Sequence, residues 1–138
     1  MVKPVIIHCD GGARGNPGRA ASAFVVERDG KRFASGAALL GVTTNNVAEY
    51  NAVILALEWL IENKNVLGKK AIFNLDSELV VKQLNGFYKV KDENLRNLFL
   101  TVVYLIKQLS VEVVFKSVPR EKNKLADFLV NEKLDEVA

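Results

Sequence analysis

Asp29 and Gly30 stand between two runs of strand-forming residues, 21–28 and 31–39, and this arrangement constrains the fold more than any other local feature. The tight turn that joins two antiparallel strands requires positive φ angles, which Asp-Gly adopts at low cost. We therefore predict a two-residue β-hairpin. The apolar run at residues 5–9 predicts a buried strand that precedes it.

Helix and strand patterns alternate along the rest of the chain. Apolar residues three and four positions apart, from Val47 to Ile61, predict a long helix from Asn46 to Asn63. The remaining predicted elements are a strand at 71–75, helices at 77–84 and 94–109, a strand at 111–117 and a last helix that begins near Asn123. The order β-β-β-α-β-α-α-β-α predicts an α/β fold, in which helices cover the faces of a mixed five-stranded sheet.

Length and composition narrow the functional classes. A chain of 138 residues suits one domain, and we expect a single domain over residues 1–138. One cysteine and one histidine exclude an internal disulfide and a zinc cage, and leave little material for a Cys–His or Ser–His–Asp catalytic centre. No apolar run approaches the roughly 18 residues of a membrane span, and no signal peptide is evident, so we expect a cytoplasmic protein without membrane contact. The net charge of +3 is weak support for a polyanionic partner.

The positions of four acidic residues can each be explained by local structure alone. Asp10 is the first residue of a glycine-rich loop that we predict over residues 10–18, and Asp is common in turns. Asp76 follows a strand and could cap the next helix. Glu49 lies three residues after Asn46, as in a capping box. Asp127 suits the positive end of the last helix.

Together, these four acids indicate a metal site. Two follow strands and two lie in the first turns of helices, which are positions that meet at one edge of an α/β sheet. Carboxylates brought together repel one another and raise their pKa values unless a cation intervenes. Oxygen ligands without clustered thiolates or imidazoles favour Mg²⁺ or Mn²⁺. Two such ions about 3.5–4 Å apart commonly serve in-line displacement at a phosphodiester.

Four blocks of sequence, in order, resemble the type 1 ribonuclease H family. The first is the predicted loop at residues 10–18, DGGARGNPG. The second is residues 43–49, TTNNVAE. The third is the pair DS at 76–77, and the fourth is NKLAD at 123–127. The first two blocks are specific, and the four together cover nearly the whole chain.

This resemblance implies a sheet in the order 3-2-1-4-5 and hydrolysis of the RNA strand of RNA/DNA hybrids with two Mg²⁺ ions, leaving 3′-hydroxyl and 5′-phosphate ends. It implies that Asp10 contacts both ions. Glu49 and Asp76 would serve mainly the ion nearer the leaving 3′-oxygen, and Asp127 the ion that carries the attacking water. We expect a monomer of the short form, without a basic protrusion or a separate hybrid-binding domain.

Substrate contacts are implied for the first two blocks. The candidate substrate-binding residues are Gly11, Gly12, Arg14, Asn16, Thr44, Asn45 and Asn46. The resemblance implies that Glu49, Asn46 and the amide of Asn16 read the ribose, and that Thr44 holds a phosphate of the DNA strand. Helix capping is the alternative role for the residues at 44–46.

The chain departs from the family in two places. Family members commonly have a histidine in the loop before the last acid, and residues 118–122 contain none. We expect Arg120 to stand there as a cation near the outgoing phosphate, where it cannot shuttle a proton at neutral pH. The one histidine, His8, is expected to be a packed core residue. Only residues 85–93 separate two helices where some members have the protrusion, and the candidates there for contact with the uncleaved strand are Tyr88, Lys89 and Lys91.

Two other functions stay open. A non-catalytic nucleic-acid-binding or protein-interaction domain could keep this fold, although the presence of all four acids disfavours it. A nuclease acting on double-stranded RNA or structured DNA is the second alternative, because a chain without the protrusion leaves relaxed substrate choice open.

Overall fold

The computed structural model describes residues 3–136, and the secondary structure confirms the predicted order of the elements. The strands are β1 (Val5–Arg14), β2 (Gly18–Arg28), β3 (Lys31–Thr43), β4 (Lys70–Leu75) and β5 (Glu112–Ser117). The helices are α1 (Asn45–Glu62), α2 (Glu78–Leu84), α3 (Glu93–Lys107) and α4 (Lys124–Asp135). Short 3₁₀ turns cover Lys64–Val66 and Arg120–Lys122. Within residues 3–136, no helix is both long and apolar enough to cross a membrane.

The strands form one mixed sheet of five strands in the order β3-β2-β1-β4-β5, as predicted. β2 is antiparallel to both β1 and β3, whereas β4 is parallel to both β1 and β5. Asp29 and Gly30 have φ angles of 54° and 79° and form the predicted turn between β2 and β3. Local turn chemistry therefore decides this hairpin.

The prediction of a loop over residues 10–18 is wrong. β1 continues to Arg14 because residues 10–14 pair with residues 19–23 of β2, and only residues 15–17 form the turn. These cross-strand hydrogen bonds outweigh the loop preference of the glycines. The pairing of β1 with β4 ends at His8, so Asp10 lies just beyond the parallel part of the sheet. Asp10 is thus inside a strand, yet at the edge where β1 and β4 separate.

Helices cover both faces of the sheet. α1 packs on one face, in a core that includes Phe73 of β4. α4 packs on the other face, where Val130 meets Ala21 and Ala23 of β2. The two alanines have small side chains, so α4 can approach the sheet closely. One acid on α1 and another on α4 therefore reach the same edge of the sheet from opposite faces.

The side chains that cap α1 and α2 belong to residues other than the four acids. Thr44 Oγ1 accepts a hydrogen bond from the backbone amide three residues on, at 3.2 Å, and is the N-cap of α1. The capping box considered as the alternative explanation of Glu49 therefore does not form. Ser77 Oγ accepts the equivalent bond at 3.3 Å and caps α2 in place of Asp76. The carboxylates of Glu49 and Asp76 are not used as caps.

Candidate active site

Three carboxylates meet where β1 and β4 separate. One oxygen each from Asp10, Glu49 and Asp76 lies within 4.8 Å of the other two. Asp10 comes from β1, Glu49 from the second turn of α1, and Asp76 directly follows β4. Asp10 and Glu49 are only 6% and 4% exposed. The order of elements along the sequence predicted this meeting of strand ends and helix starts, and the structure places these three acids there.

Gly11 lets α1 approach β1 closely enough to place Glu49. A Cβ atom at this position would lie 2.2 Å from the backbone carbonyl carbon of Ala48, so only glycine fits. The amide of Gly11 donates a hydrogen bond to Glu49 Oε1 at 3.1 Å. Ser22 Oγ donates another to the carbonyl oxygen of Ala48 at 2.6 Å. The start of α1 is therefore attached to both β1 and β2 beside the acids.

Burial and mutual repulsion raise the pKa values of the clustered acids. The pKa of Asp10 is raised to about 7, chiefly by burial. A hydrogen bond with Glu49 lowers this pKa, while the charges of Asp76 and Asp127 raise it. Burial raises the pKa of Glu49 well above its ordinary range, and the charge of Asp10 adds to the effect. Burial also raises the pKa of Asp76, against the opposing positive charge of Arg120.

Two oxygens of the cluster are buried and have no hydrogen-bond partner among residues 3–136, namely Glu49 Oε2 and Asp76 Oδ2. Arg120 Nε lies 3.8 Å from Asp76 Oδ2, which makes an ion pair but is too long for a hydrogen bond. Buried acceptors without donors are costly, and here they belong to acids that repel one another. This donor set of hard oxygens fits a divalent cation such as Mg²⁺.

Asp127 is the fourth predicted acid, and it lies outside the group of three whose oxygens are within 4.8 Å. It lines the same cleft, and its negative charge raises the pKa values of Asp10 and Asp76. Asn123, which is 1% exposed, attaches the start of α4 to the sheet by donating from Nδ2 to the carbonyl oxygen of Cys9 at 2.8 Å. Asn123 was not among the predicted site residues, although its position one helical turn before Asp127 was the available signal.

The acids line an open cleft with a volume of about 510 Å³. The other predicted residues that line it are Gly11, Gly12, Arg14, Asn45, Asn46 and Arg120. Asn16 and Thr44 were predicted as substrate contacts but are not part of that lining. Asn131 lines the cleft without having been predicted. Nothing in the sequence distinguishes it from other polar residues of a helix.

Asn16 and Asn45 join the turn after β1 to the start of α1. The side-chain oxygen of Asn16 accepts a hydrogen bond from the backbone amide of Asn45 at 3.0 Å. The side-chain oxygen of Asn45 in turn accepts from the amide of Ala13 at 2.8 Å. The capping role considered for Asn45 is therefore wrong, because its side chain bonds to a strand rather than to its own helix.

The cleft also contains two arginines, on different walls. Arg120 is 81% exposed and approaches Asp76. Arg14 instead forms an ion pair with Asp135 of α4, with 2.7 Å between Nη1 and Oδ1. His8 is largely buried, at 19% side-chain exposure, and its Nε2 lies 3.1 Å from Glu27 Oε1.

The chain is similar in sequence and in fold to known proteins. A family model described as Reverse transcriptase-like matches residues 8–133. The crystal structure of LC11-RNase H1 in complex with an RNA/DNA hybrid aligns with a TM-score of 0.91 and 41% sequence identity, and the alignment covers 96% of this chain and 98% of that one. The chain belongs to the type 1 ribonuclease H family.

Two relatives of this ribonuclease H family member are longer than the chain itself. Ribonuclease HI of Halobacterium salinarum is 40% identical over 129 residues, which are 92% of this chain and 62% of that protein. A protein of Mycobacterium tuberculosis that is named as bifunctional is 37% identical over 137 residues, which are 97% of this chain and 36% of that protein. The chain thus spans less than two thirds of the length of these relatives.

Proposed function

We propose that this ribonuclease H family member is a metal-dependent endonuclease that hydrolyses the RNA strand of RNA/DNA hybrids. The observation that carries the proposal is the cluster of three acids in an open cleft, two of which have a buried oxygen that accepts no hydrogen bond from the described residues. The hybrid bound to LC11-RNase H1 supports the substrate class. We propose products with 3′-hydroxyl and 5′-phosphate ends.

Asp10, Glu49 and Asp76 would hold the metal, with Asp127 contributing from α4. Their oxygens suit two Mg²⁺ ions, and Mn²⁺ is the alternative. When bound, such ions supply an activated water and stabilise negative charge on the phosphate. The chain itself keeps the carboxylates together in a largely buried place, where their attraction for a cation is stronger than in water. Asn123 supports this arrangement by fixing the start of α4.

The wall formed by Gly11, Gly12 and Asn46 supports recognition of the RNA strand. All three residues line the cleft. The amide of Gly11 is already bonded to Glu49 Oε1, whereas Gly12 is only partly buried and has no side chain that would shield its peptide groups. The Asn46 carboxamide can both donate and accept hydrogen bonds, as a 2′-hydroxyl does. We assign reading of the 2′-hydroxyl to this wall, together with the carboxylate of Glu49.

Asn16 and Thr44 have structural roles that leave donors available for the substrate. The oxygen of the Asn16 side chain is used by Asn45, but its amide group is a separate donor. Thr44 Oγ1 accepts the capping hydrogen bond, while its hydroxyl hydrogen can still be donated. We propose that Asn16 donates to the RNA strand and that Thr44 donates to a phosphate of the DNA strand.

A second groove, with a volume of about 670 Å³, supports contact with the uncleaved strand. It is lined by three cations and by two aromatic rings, namely Lys89, Lys91, Arg96, Tyr88 and Phe99. Cations neutralise phosphates, and aromatic rings stack on bases or pack against sugars. The short segment between α2 and α3 and the start of α3 therefore form a positively charged groove that could bind a nucleic-acid strand.

The decisive experiment is cleavage of matched RNA/DNA, RNA/RNA and DNA/DNA duplexes and of single-stranded RNA, in Mg²⁺ and in Mn²⁺. We expect cutting of the RNA strand of the hybrid alone. Comparable cutting of RNA/RNA would favour the alternative of a nuclease with relaxed choice. Tight binding of the hybrid without any cutting, under conditions where the protein is folded, would favour a non-catalytic binding domain.

A further inference from the structure

We propose that Asp135 is an internal competitor for the substrate, because it occupies the Arg14 guanidinium in the free protein. On binding, a phosphate of the nucleic acid takes the place of the Asp135 carboxylate on Arg14. This inference rests on the proposed function and assigns a specific control of affinity to the same cleft. Neither residue belongs to the cluster of acids.

Within residues 3–136, the side-chain hydrogen bonds and ion pair of Arg14 are made with the last two turns of α4. Arg14 Nη1 lies 2.7 Å from Asp135 Oδ1. Arg14 Nη2 donates to the carbonyl oxygen of Asn131 at 3.4 Å and to its side-chain oxygen at 3.3 Å. The Asn131 amide donates to the carbonyl oxygen of Asp127 at 3.1 Å, which fixes the side-chain oxygen toward Arg14. The guanidinium is therefore held at the wall of the cleft by a helix that also carries an acid of the site.

The ion pair is exposed enough to be exchanged. The side chains of Arg14 and Asp135 are 39% and 67% exposed, and pairs of this kind typically contribute only about 0–1 kcal/mol. A phosphate offers a guanidinium two parallel hydrogen bonds with full charge assistance. A carboxylate can accept the same bonds, so a phosphate can replace the Asp135 carboxylate without loss of charge assistance for the arginine.

The position of Arg14 points to a nucleic-acid partner. Arg14 and Asn131 line the cleft together with the acids, whereas Asp135 does not. Arg19 of β2 is the register partner of Arg14, so two cations occur at this end of the β1–β2 hairpin. Helix stability does not explain Asp135, because a negative charge in the last turn of α4 opposes the helix dipole.

Binding of a fluorescent RNA/DNA hybrid tests the proposal, in an Asp10→Asn background that prevents cutting. We expect Asp135→Asn to tighten binding by about 2- to 5-fold, because it frees the guanidinium from one exposed ion pair. We expect Arg14→Ala to weaken binding by about 3- to 10-fold, because it removes a charge-assisted contact with phosphate. The double variant Arg14→Ala/Asp135→Asn should bind like Arg14→Ala. The gain from Asp135→Asn requires the arginine that it frees.

Glu136→Gln is the matched control, because it removes the same charge one residue later from an acid that is paired with Lys133 at 3.2 Å. An equal gain from Glu136→Gln, or a gain from Asp135→Asn that persists without Arg14, would show a general charge effect and overturn the proposal. Unchanged binding in Asp135→Asn would also overturn it. Cutting of the hybrid by the wild-type protein is measured separately, so a failure of the proposed function is distinguishable from a failure of this inference.

Discussion

The backbone amide of Gly11 donates to Glu49 Oε1 across 3.1 Å, and a Cβ atom on Gly11 would lie 2.2 Å from the backbone of Ala48. One missing side chain thus brings a central strand and the long helix close enough to share a hydrogen bond at the site. Asp10 precedes this glycine in β1, so the same contact places two of the acids together.

Gly11→Ala should destabilise the protein by about 1–3 kcal/mol, because the added methyl group forces α1 away from β1. The melting temperature checks this expectation, and nuclease activity should fall with it as Glu49 moves. Gly12→Ala is the matched control for stability, since its Cβ would meet only Val130 at 3.7 Å. Equal melting temperatures of the two variants would contradict the close approach that we describe.

Asp10→Asn should abolish cleavage while hybrid binding survives, because the amide keeps the shape of the side chain but removes a charge from the metal ligands. The melting temperature in metal-free buffer should not fall, since one source of carboxylate repulsion disappears. Initial rates at saturating Mg²⁺ provide the measurement. Activity within about threefold of wild type, a free-energy difference below about 1 kcal/mol, would exclude Asp10 as a metal ligand.

Metal-free protein should lose stability as the pH rises from about 4 to about 8. The folded-state pKa of Asp10 is raised to about 7, so between the ordinary Asp value and 7 the folded state binds more protons than the unfolded state. The raised pKa values of Glu49 and Asp76 act in the same direction. Melting temperatures measured in EDTA across this pH range test whether the stability falls as expected.

Mg²⁺ should reverse that loss at pH 8, because it binds the ionised carboxylates of the folded state. Asp10→Asn should show a shallower pH dependence and a smaller Mg²⁺ response than wild type. A melting temperature that is independent of pH in EDTA, or equal Mg²⁺ responses in both proteins, would count against a cluster of repelling acids.

Arg120→Ala should lower kcat more than it raises KM, if the guanidinium near Asp76 assists during chemistry or product departure. Arg120→Lys should recover part of the loss, because it keeps the charge without the planar fork. Arg120→His should restore activity with a new pH dependence near the imidazole pKa. Multiple-turnover kinetics on a long hybrid measure this, and a wild-type kcat in Arg120→Ala would remove Arg120 from the site.

A hybrid whose RNA strand contains a single deoxyribonucleotide should be cut at least about tenfold more slowly next to that position. The deoxyribonucleotide lacks the 2′-hydroxyl that the wall of Gly11, Gly12 and Asn46 would bind. Mapping of cleavage products on a sequencing gel locates the effect. Sites several nucleotides away on the same strand serve as the control. Uniform cutting along the strand would mean that the protein does not read the 2′-hydroxyl at this wall.

Local patterns in the sequence were sufficient for the elements and their order. Asp-Gly at 29–30 determined a hairpin, because few other residue pairs accept positive φ angles there. Apolar spacing determined α1, and the four acids stood out by their positions at strand ends and helix starts. These features depend on neighbours within a few residues, so they can be recognised from the sequence before the fold is known.

Tertiary structure alone decided how those elements meet. Residues 10–14 look like a loop in isolation, and only pairing with β2 makes them a strand. The sequence could not show that Glu49 bonds to Gly11 or that Arg14 pairs with Asp135, because these partners are 38 and 121 residues apart and meet only when both helices pack on the sheet. It likewise could not show that Asp127 lies outside the closest group of acids, since that distance depends on how α4 is seated against Ala21 and Ala23. Contacts between distant segments depend on which surfaces come together, and packing rather than local preference determines those surfaces.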